Sequence, residues 1–316
     1  LEPWDYRYYS EKVRKEKFAL NQDEVSQYFP LENVKNGIFT VVNKLYGVTF
    51  ELNKNLPKYH NDVDVYEVKE NGKVIAILYM DYYPRESKRS GAWMSNFREQ
   101  YYTPDGKNVI PIVTLVLNNA KPTKDAPSLL SFDQVETFFH EFGHGLHGML
   151  TNCKYRSLSG TNVAHDFVEL PSQIFEHWAS HPEVLKMYAK HYKTGAVIPD
   201  ELIQKIQAAS NFGQGFMNTE LIASSFLDMK YYSITEPVQI KLPDFEKQYL
   251  ASIGLIPEII ARHSSAYFQH AFSGGYDAGY YAYTWAAVLD NDAFESFVEK
   301  GIFDPATAKA FRENIL

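Results

Sequence analysis

The sequence of 316 residues contains a single cysteine, Cys153, so no disulfide can form within the chain. This is typical of proteins from reducing compartments, and we expect a cytoplasmic location, with periplasmic and secreted locations still open. Basic residues are also few, because 31 Lys and Arg against 39 Asp and Glu give a net charge of −8. Since a phosphate-binding surface is normally basic, nucleic acid is not an expected partner.

Long hydrophobic runs are missing as well. The longest one, residues 110–117, is interrupted by Pro111 and Thr114 and is too short to span a bilayer, so we expect no membrane partner. The chain begins Leu1-Glu2-Pro3-Trp4, without an initiator Met and without the basic and apolar regions of a signal peptide. We therefore expect a fragment or a processed piece of a longer protein.

The hydrophobic pattern changes its period along the chain. Residues 5–30 and 31–56 have apolar side chains at helical spacing, and the pattern is helical again from Ser131 almost to the end. Strand patterns occupy residues 64–68, 73–81 and 109–118, and Asn71-Gly72 predicts a hairpin between the first two. The order predicts an α+β, predominantly α-helical fold with a small β-sheet. No linker of Pro, Gly and Ser divides it, so we expect residues 1–316 to be a single catalytic domain.

A metal-binding motif lies on one of the predicted helices. Ser131 and Gln134 fit a capping box that begins the helix, and residues 140–144 read His-Glu-Phe-Gly-His. Positions i and i+4 project from the same helix face, so His140 and His144 can bind one Zn²⁺ ion. Glu141 can take a proton from the attacking water and later deliver it to the leaving amine. The pattern is typical of a zinc metallopeptidase with one zinc per chain.

A catalytic zinc site needs a third protein ligand, and two residues are candidates. His147 lies on the same helix another turn along, which would strain a compact tetrahedron. Glu169 lies 25 residues after His144 on the next predicted helix, which can bring its carboxylate over the two histidines. We favour Glu169 and assign His147 to packing or to support of the ligands. Asp166 and Glu176, on the same predicted helix as Glu169, are candidates to accept the second N–H of a ligand histidine.

A second constellation lies far along the sequence, between His270 and Tyr283. If the segment after Gly275 is helical, Tyr276, Tyr280 and Tyr283 share one face at i, i+4 and i+7. Phenols and a histidine can donate hydrogen bonds to an oxyanion on a scissile carbonyl. A stripe of tyrosines more often only packs, so the residues alone leave both interpretations open.

Three separated segments of this sequence resemble the thimet oligopeptidase (M3) family of zinc metallopeptidases. The segments that carry the resemblance are His-Glu-Phe-Gly-His-Gly-Leu-His (140–147), Leu-Ser-Gly-Thr-Asn…Asp-Phe-Val-Glu-Leu-Pro-Ser-Gln (158–173) and Phe-Ser-Gly-Gly-Tyr-Asp-Ala-Gly-Tyr-Tyr-Ala-Tyr (272–283). Residues 91–96 and 176–182 are most similar to its bacterial peptidyl-dipeptidase (Dcp) branch. The resemblance extends from Trp4 to the last residue.

The resemblance implies a role for individual residues. His140, His144 and Glu169 match the zinc ligands of the family, and Glu141 matches its general base. Tyr276 and Tyr283 match two catalytic tyrosines of the family that hold the substrate and the tetrahedral intermediate. His270 matches a catalytic histidine that assists them. The implied fold is a zincin-type, mainly helical body with a deep channel and a small sheet beside the His-Glu-x-x-His helix.

The resemblance also implies a substrate class. A deep channel excludes folded proteins, so we expect zinc-dependent hydrolysis of short peptides with release of C-terminal dipeptides. An endo-acting oligopeptidase is one alternative, and the two differ by a group that binds the free C-terminal carboxylate, for which Lys154, Arg156 and Arg262 are candidates. A non-catalytic zinc-containing fragment is another alternative. Family members are roughly twice as long, so we expect an N-terminal half of the same protein to complete the channel.

Overall fold

The structure is a computed structural model that describes residues 2–237 and 239–316. Its helices are α1 (Asp5–Phe18), α2 (Gln22–Ser26), α3 (Leu31–Tyr46), α4 (Phe132–Leu150), α5 (His165–Val168), α6 (Leu170–Ser180), α7 (Pro182–Tyr188), α8 (Asp200–Ala209), α9 (Gln214–Tyr232), α10 (Leu242–Ser252), α11 (Gln269–Ser273), α12 (Ala282–Lys300) and α13 (Pro305–Asn314). Its strands are β1 (Val48–Leu52), β2 (Val63–Glu70), β3 (Lys73–Asp81), β4 (Trp93–Arg98), β5 (Tyr101–Tyr102), β6 (Asn108–Val109) and β7 (Ile112–Val116). The prediction of an α+β, predominantly helical fold is confirmed.

The small sheet contains the three predicted strands. Its strand order is β1-β2-β3-β7-β4, with β3 and β7 parallel and the other neighbours antiparallel. The predicted hairpin joins β2 and β3, where Asn71 and Gly72 have φ angles of 49° and 76°. Two successive residues with positive φ match the right-handed twist of the flanking strands, which explains the Asn-Gly pair.

One predicted helix is too long, and one predicted helical region is divided into two helices. The prediction of one helix over residues 31–56 is wrong in its second half, because α3 ends at Tyr46 and β1 follows. Gly47 has a φ of 69°, which no continuing helix adopts. The helical region predicted over residues 5–30 contains two helices, since the left-handed residue Ala19 separates α1 from α2.

The described residues form two compact units. The sheet unit comprises residues 21–164, 168–203 and 287–316, and the tyrosine unit comprises the residues up to Leu20, 165–167 and 204–286. The expectation of a single domain over 1–316 stays a prediction. Within residues 2–237 and 239–316, every helix is too short or too polar to cross a membrane.

Helix α4 is the central element of the sheet unit. It packs on β3, β4 and β7 on one side, where Gly145 lies against the side chain of Leu115. On its other side it packs on α6, and a Cβ atom at Gly143 would lie 2.3 Å from the carbonyl oxygen of Pro171. Only a glycine allows the two backbones to approach so closely. The sheet, α4 and α6 therefore form successive layers.

The tyrosine unit has two small cores of its own. Ala223 and Leu227 of α9 pack against Leu250 of α10 and against Ala261. A second core forms around Phe268, Ala271 and Tyr280, and Tyr276 and Tyr283 pack against it. Tyr280 of the predicted tyrosine constellation is therefore part of this core, and Tyr276 and Tyr283 lie against it.

Gly143 allows a specific test of the α4–α6 packing. In a Gly143→Ala variant the new Cβ would overlap the backbone of Pro171 and Ser172, which cannot move without moving α6. We expect the free energy of unfolding to fall by about 1–3 kcal/mol, measured by denaturant unfolding of the metal-free protein. Gly215→Ala is the matched control, because a Cβ on this helical glycine meets no atom within 4 Å. A loss at Gly143 no larger than at Gly215 would contradict the close packing.

Candidate functional site

The sequence of α4 explains where the helix begins and how its two histidines are placed. The backbone N–H of Gln134 donates to Ser131 Oγ at 3.2 Å, and the N–H of Ser131 donates to Gln134 Oε1 at 3.0 Å. This confirms the predicted capping box. His140 and His144 follow on one helix face, with ring centroids 5.0 Å apart. Both Nε2 atoms can therefore reach a common point.

Glu169 completes a cluster of possible metal ligands within the sheet unit. It immediately precedes α6 and its side chain is buried. Its Oε2 atom lies 3.3 Å from His140 Nε2 and 3.2 Å from His144 Nε2, and the ligand atoms of the three residues all lie within 4.8 Å of one another. A tetrahedral ion with bonds of about 2.0–2.1 Å separates its ligand atoms by roughly 3.3 Å. The three side chains can thus hold one metal ion.

The Glu169 carboxylate is held in place by its own helix. Ser172 Oγ lies 2.9 Å from Glu169 Oε2 and 2.8 Å from the Glu169 carbonyl oxygen, so the hydroxyl can donate to either. Burial opposes the negative charge of Glu169, but His144 and His140 outweigh burial and hold the pKa of the carboxyl well below its usual range. Glu169 is therefore an ionised acceptor.

His140 has a second carboxylate partner, Glu176. His140 Nδ1 lies 2.6 Å from Glu176 Oε1, one of the two contacts proposed from the sequence. Burial lowers the pKa of His140, but the carboxylates of Glu169 and Glu176 outweigh it and raise the pKa well above its usual value. In the metal-free protein the two carboxylates thus favour a proton on each ring nitrogen; a metal ion would displace the proton on Nε2, while the contact with Glu176 keeps the proton on Nδ1. The other candidate, Asp166, lies in the tyrosine unit, 3.5 Å from the hydroxyl of Tyr281.

Glu141 is buried beside the cluster, and its carboxylate is incompletely hydrogen-bonded. Its Oε2 atom has no hydrogen-bond partner, although only 6% of the residue is exposed. Burial raises the pKa of Glu141, and the neighbouring His140 and His144 only partly oppose this shift. A buried carboxylate with a free acceptor oxygen is costly in a merely structural role and suits a proton acceptor.

His147 does not belong to the cluster found among the described residues, which comprises His140, His144 and Glu169. Burial and the nearby His144 lower the pKa of His147 to about 4, so its ring is neutral at pH 7. The side chain is 3% exposed. The expected role of His147, packing or support of the ligands, stays a prediction.

The tyrosine unit brings the other three predicted residues together. The rings of Tyr276 and Tyr283 stack with centroids 5.3 Å apart and planes at 16°. His270 lies 5.9 Å from the Tyr276 ring and 6.2 Å from the Tyr283 ring. The condition of a helix after Gly275 is not met, because residues 277–281 form turns and α12 begins at Ala282. The roles of these three residues stay predictions.

Two neighbours of these sites were not singled out from the sequence. Ser172, which contacts Glu169, stands three residues after it, a spacing at which a hydroxyl can reach back to a carboxylate at a helix start. The ring of His165 lies 5.1 Å from the ring of Tyr276 within the tyrosine unit. No signal in the sequence connects His165 with Tyr276, since the two residues are 111 positions apart.

Comparison of the sequence with known proteins identifies the family to which the chain belongs. The model of the family described as "Peptidase family M3" matches residues 1–316. The chain is 44% identical over 319 residues to the dipeptidyl carboxypeptidase of Escherichia coli, a match that covers 100% of this chain and 46% of that protein. It is 38% identical to oligopeptidase A of Escherichia coli, covering 100% of this chain and 47% of that protein. With organellar oligopeptidase A of Arabidopsis thaliana it shares 37% identity over 99% of this chain and 41% of that protein. The chain thus spans about half the length of these relatives.

The contact between His140 and Glu176 leads to a test of metal affinity. In a Glu176→Gln variant the carboxylate that orients His140 is lost, and we expect a metal affinity about 10- to 100-fold lower, measured by competition with a chelator. Glu183→Gln is the control, because Glu183 is an exposed acid on α7 of the same unit. Equal affinities of the two variants would show that the His140–Glu176 contact does not support metal binding.

Proposed function

The chain belongs to peptidase family M3, and we propose that its described residues carry the zinc centre with which the complete protein hydrolyses short peptides. The observation that carries the proposal is the convergence of His140, His144 and Glu169 on one point, with ligand atoms within 4.8 Å of one another. The partly unpaired carboxylate of Glu141 supports it, because a general base must keep an acceptor oxygen for its substrate.

The donor set fits zinc. Two imidazoles and one carboxylate are the ligands of several catalytic zinc sites, and such sites keep a fourth position for water or substrate. When bound, zinc would polarise the scissile carbonyl and acidify the attacking water. His140, His144 and Glu169 would hold the ion, and Glu176 would keep the His140 ring in the orientation that presents Nε2 to it.

Proton transfer is the task that we propose for Glu141. Its raised pKa, caused by burial, makes it a stronger base than an ordinary carboxylate. It would accept a proton from the attacking water and then protonate the leaving amine, so that the peptide bond breaks to an acid and an amine. Tyr276 and Tyr283 would donate hydrogen bonds to the oxyanion that develops on the scissile carbonyl, and His270 would assist them.

We propose that the products are C-terminal dipeptides. The relative with 44% identity is named a dipeptidyl carboxypeptidase, which supports this choice. An endo-acting oligopeptidase is the second candidate, favoured by the 38% identity to oligopeptidase A. We further propose that residues beyond this chain, of the kind that the longer relatives contain, complete the substrate channel.

Of the three basic residues that could bind a substrate carboxylate, Arg156 already pairs with an acidic side chain. Arg156 pairs with Glu99, with Nε and Oε2 2.7 Å apart, and the Nζ atom of Lys154 lies 5.5 Å from the ring of Tyr155. Arg262, in the tyrosine unit, is the third candidate.

Replacing Glu141 tests the proposed base. We expect Glu141→Gln to retain one zinc per chain and to lower kcat by about 10²–10⁴-fold, because the amide cannot take up the proton. Zinc content and initial rates of peptide hydrolysis are measured on the same preparation of the complete protein. Asp133→Asn, an exposed acid-to-amide change in the first turn of α4, is the control. Wild-type turnover by Glu141→Gln would rule out this role.

A peptide with an amidated C-terminus separates the two modes of cleavage. If the enzyme releases dipeptides by recognising the free carboxylate, we expect kcat/KM for the amide to fall by about 100-fold or more, since a charged contact is lost. The products of the free and amidated peptides are identified by mass spectrometry. Equal rates with cleavage at internal bonds would favour the oligopeptidase. Zinc without hydrolysis of either peptide would indicate a non-catalytic protein.

A further inference from the structure

Helix α9 carries a stripe of groups that bind the segment bearing the predicted tyrosines, and all of them lie in the tyrosine unit. The stripe consists of Glu220, Ser224, Asp228 and Tyr232, which follow one another at intervals of four residues and share one helix face. The Glu220 carbonyl oxygen accepts from the N–H of Arg262 at 3.1 Å, and Ser224 Oγ accepts from the N–H of His263 at 3.1 Å. The segment after Ala261 thus runs along this face.

The same stripe contacts the segment at two further places, in α11 and in the turn of residues 277–281, which lies between Tyr276 and Tyr283. The Tyr232 hydroxyl donates to the carbonyl oxygen of Ala271, in the short helix α11 that contains His270. Asp228 Oδ1 accepts from the backbone N–H of Ala278 at 3.0 Å, and Asp228 Oδ2 accepts from the N–H of Tyr280 at 3.0 Å. One carboxylate therefore binds two N–H groups that are two residues apart, in the middle of the turn.

The turn has a backbone conformation that needs such support. Ala278 has a φ of 51°, in the left-handed region that non-glycine residues seldom adopt. The N–H of Gly279 donates to the carbonyl oxygen of Tyr276 at 3.0 Å, and the N–H of Tyr276 donates to the carbonyl oxygen of His270 at 3.0 Å. The backbone at Ala278 is thereby linked to both Tyr276 and His270.

Burying Asp228 is costly, which argues that the residue does more than fill space. The side chain has no exposed surface, and its charge is met by backbone N–H groups. Burial raises the pKa of Asp228 although the N–H groups of Tyr280, Ala278 and Gly279 oppose the shift. An apolar side chain would fill the same space without this cost, but it would leave the N–H groups of the turn without an acceptor.

We propose that Asp228 is a positioning residue of the active site, whose carboxylate holds the backbone at Ala278 and Tyr280 and thereby fixes the stacked pair Tyr276 and Tyr283. This inference rests on the proposed function, in which the two tyrosines donate hydrogen bonds to the developing oxyanion. Donors of this kind accelerate a reaction only if their positions are fixed before the charge develops. Loss of the Asp228 contacts therefore acts on the transition state more than on substrate binding.

Kinetics of Asp228→Asn in the complete protein test the inference. The amide keeps the shape of the side chain but has only one acceptor oxygen, so one N–H of the turn loses its partner. We expect kcat to fall by about 10- to 100-fold with KM changed by less than about threefold, because a small displacement of catalytic groups has effects of this size. Asp244→Asn, an exposed acid at the start of α10, is the matched control and keeps the wild-type rate.

A double-mutant cycle with Tyr276→Phe separates positioning from general damage. If Asp228 acts through Tyr276, the Asp228→Asn change costs less when the phenol is already absent, and the combined loss in kcat is smaller than the product of the single losses. A purely multiplicative loss, or a kcat for Asp228→Asn within twofold of wild type, overturns the inference.

Hydrogen exchange gives a second measurement that needs neither activity nor a folded variant. In the wild-type protein, the amide hydrogens of Ala278 and Tyr280 should exchange as slowly as those in the middle of α9, although they lie in a turn. Rapid exchange at both positions overturns the inference whatever the kinetics. A wild-type protein without peptide hydrolysis would refute the proposed function alone, because the exchange experiment still decides whether the turn is held.

Discussion

The close crossing of α4 and α6 at Gly143 determines the geometry of the metal cluster. Since no Cβ separates the two backbones there, Glu169, at the start of α6, lies within 3.3 Å of both histidine Nε2 atoms on α4. The same crossing brings Glu176, two turns further along α6, to His140 Nδ1. One packing contact therefore places a possible ligand and the residue that orients another ligand.

The sequence predicts the two histidines of this cluster from local information. The helical repeat alone predicts that His140 and His144 share one face, and the capping box of Ser131 and Gln134 predicts where the helix begins. The hairpin at Asn71 and Gly72 is likewise encoded in adjacent residues with positive φ. The family model confirms the resemblance over the whole chain. The resemblance supports Glu169 over His147 as the third ligand, a choice that helix geometry alone could only make plausible.

The errors have two different causes. Residues 48–52 read Val-Thr-Phe-Glu-Leu, an alternation of apolar and polar residues that suits a strand, and they pair with β2 as β1 once Gly47 has ended α3, so the predicted helix was extended past a local signal. Tyr276 and Tyr283 meet through a turn rather than through a helical repeat, because Asp228, about 50 positions earlier, holds that turn. Such contacts between distant residues leave no periodic signal.

The most direct measurement of the central claim is the zinc X-ray absorption spectrum of the complete protein, recorded together with its metal content. We expect one zinc per chain with two imidazole ligands and the remaining ligands oxygen, at distances of about 2.0–2.2 Å. A spectrum with three imidazoles would assign His147 in place of Glu169 and would contradict the ligand set. A protein that binds no stoichiometric zinc would contradict the assignment of the cluster as a zinc site.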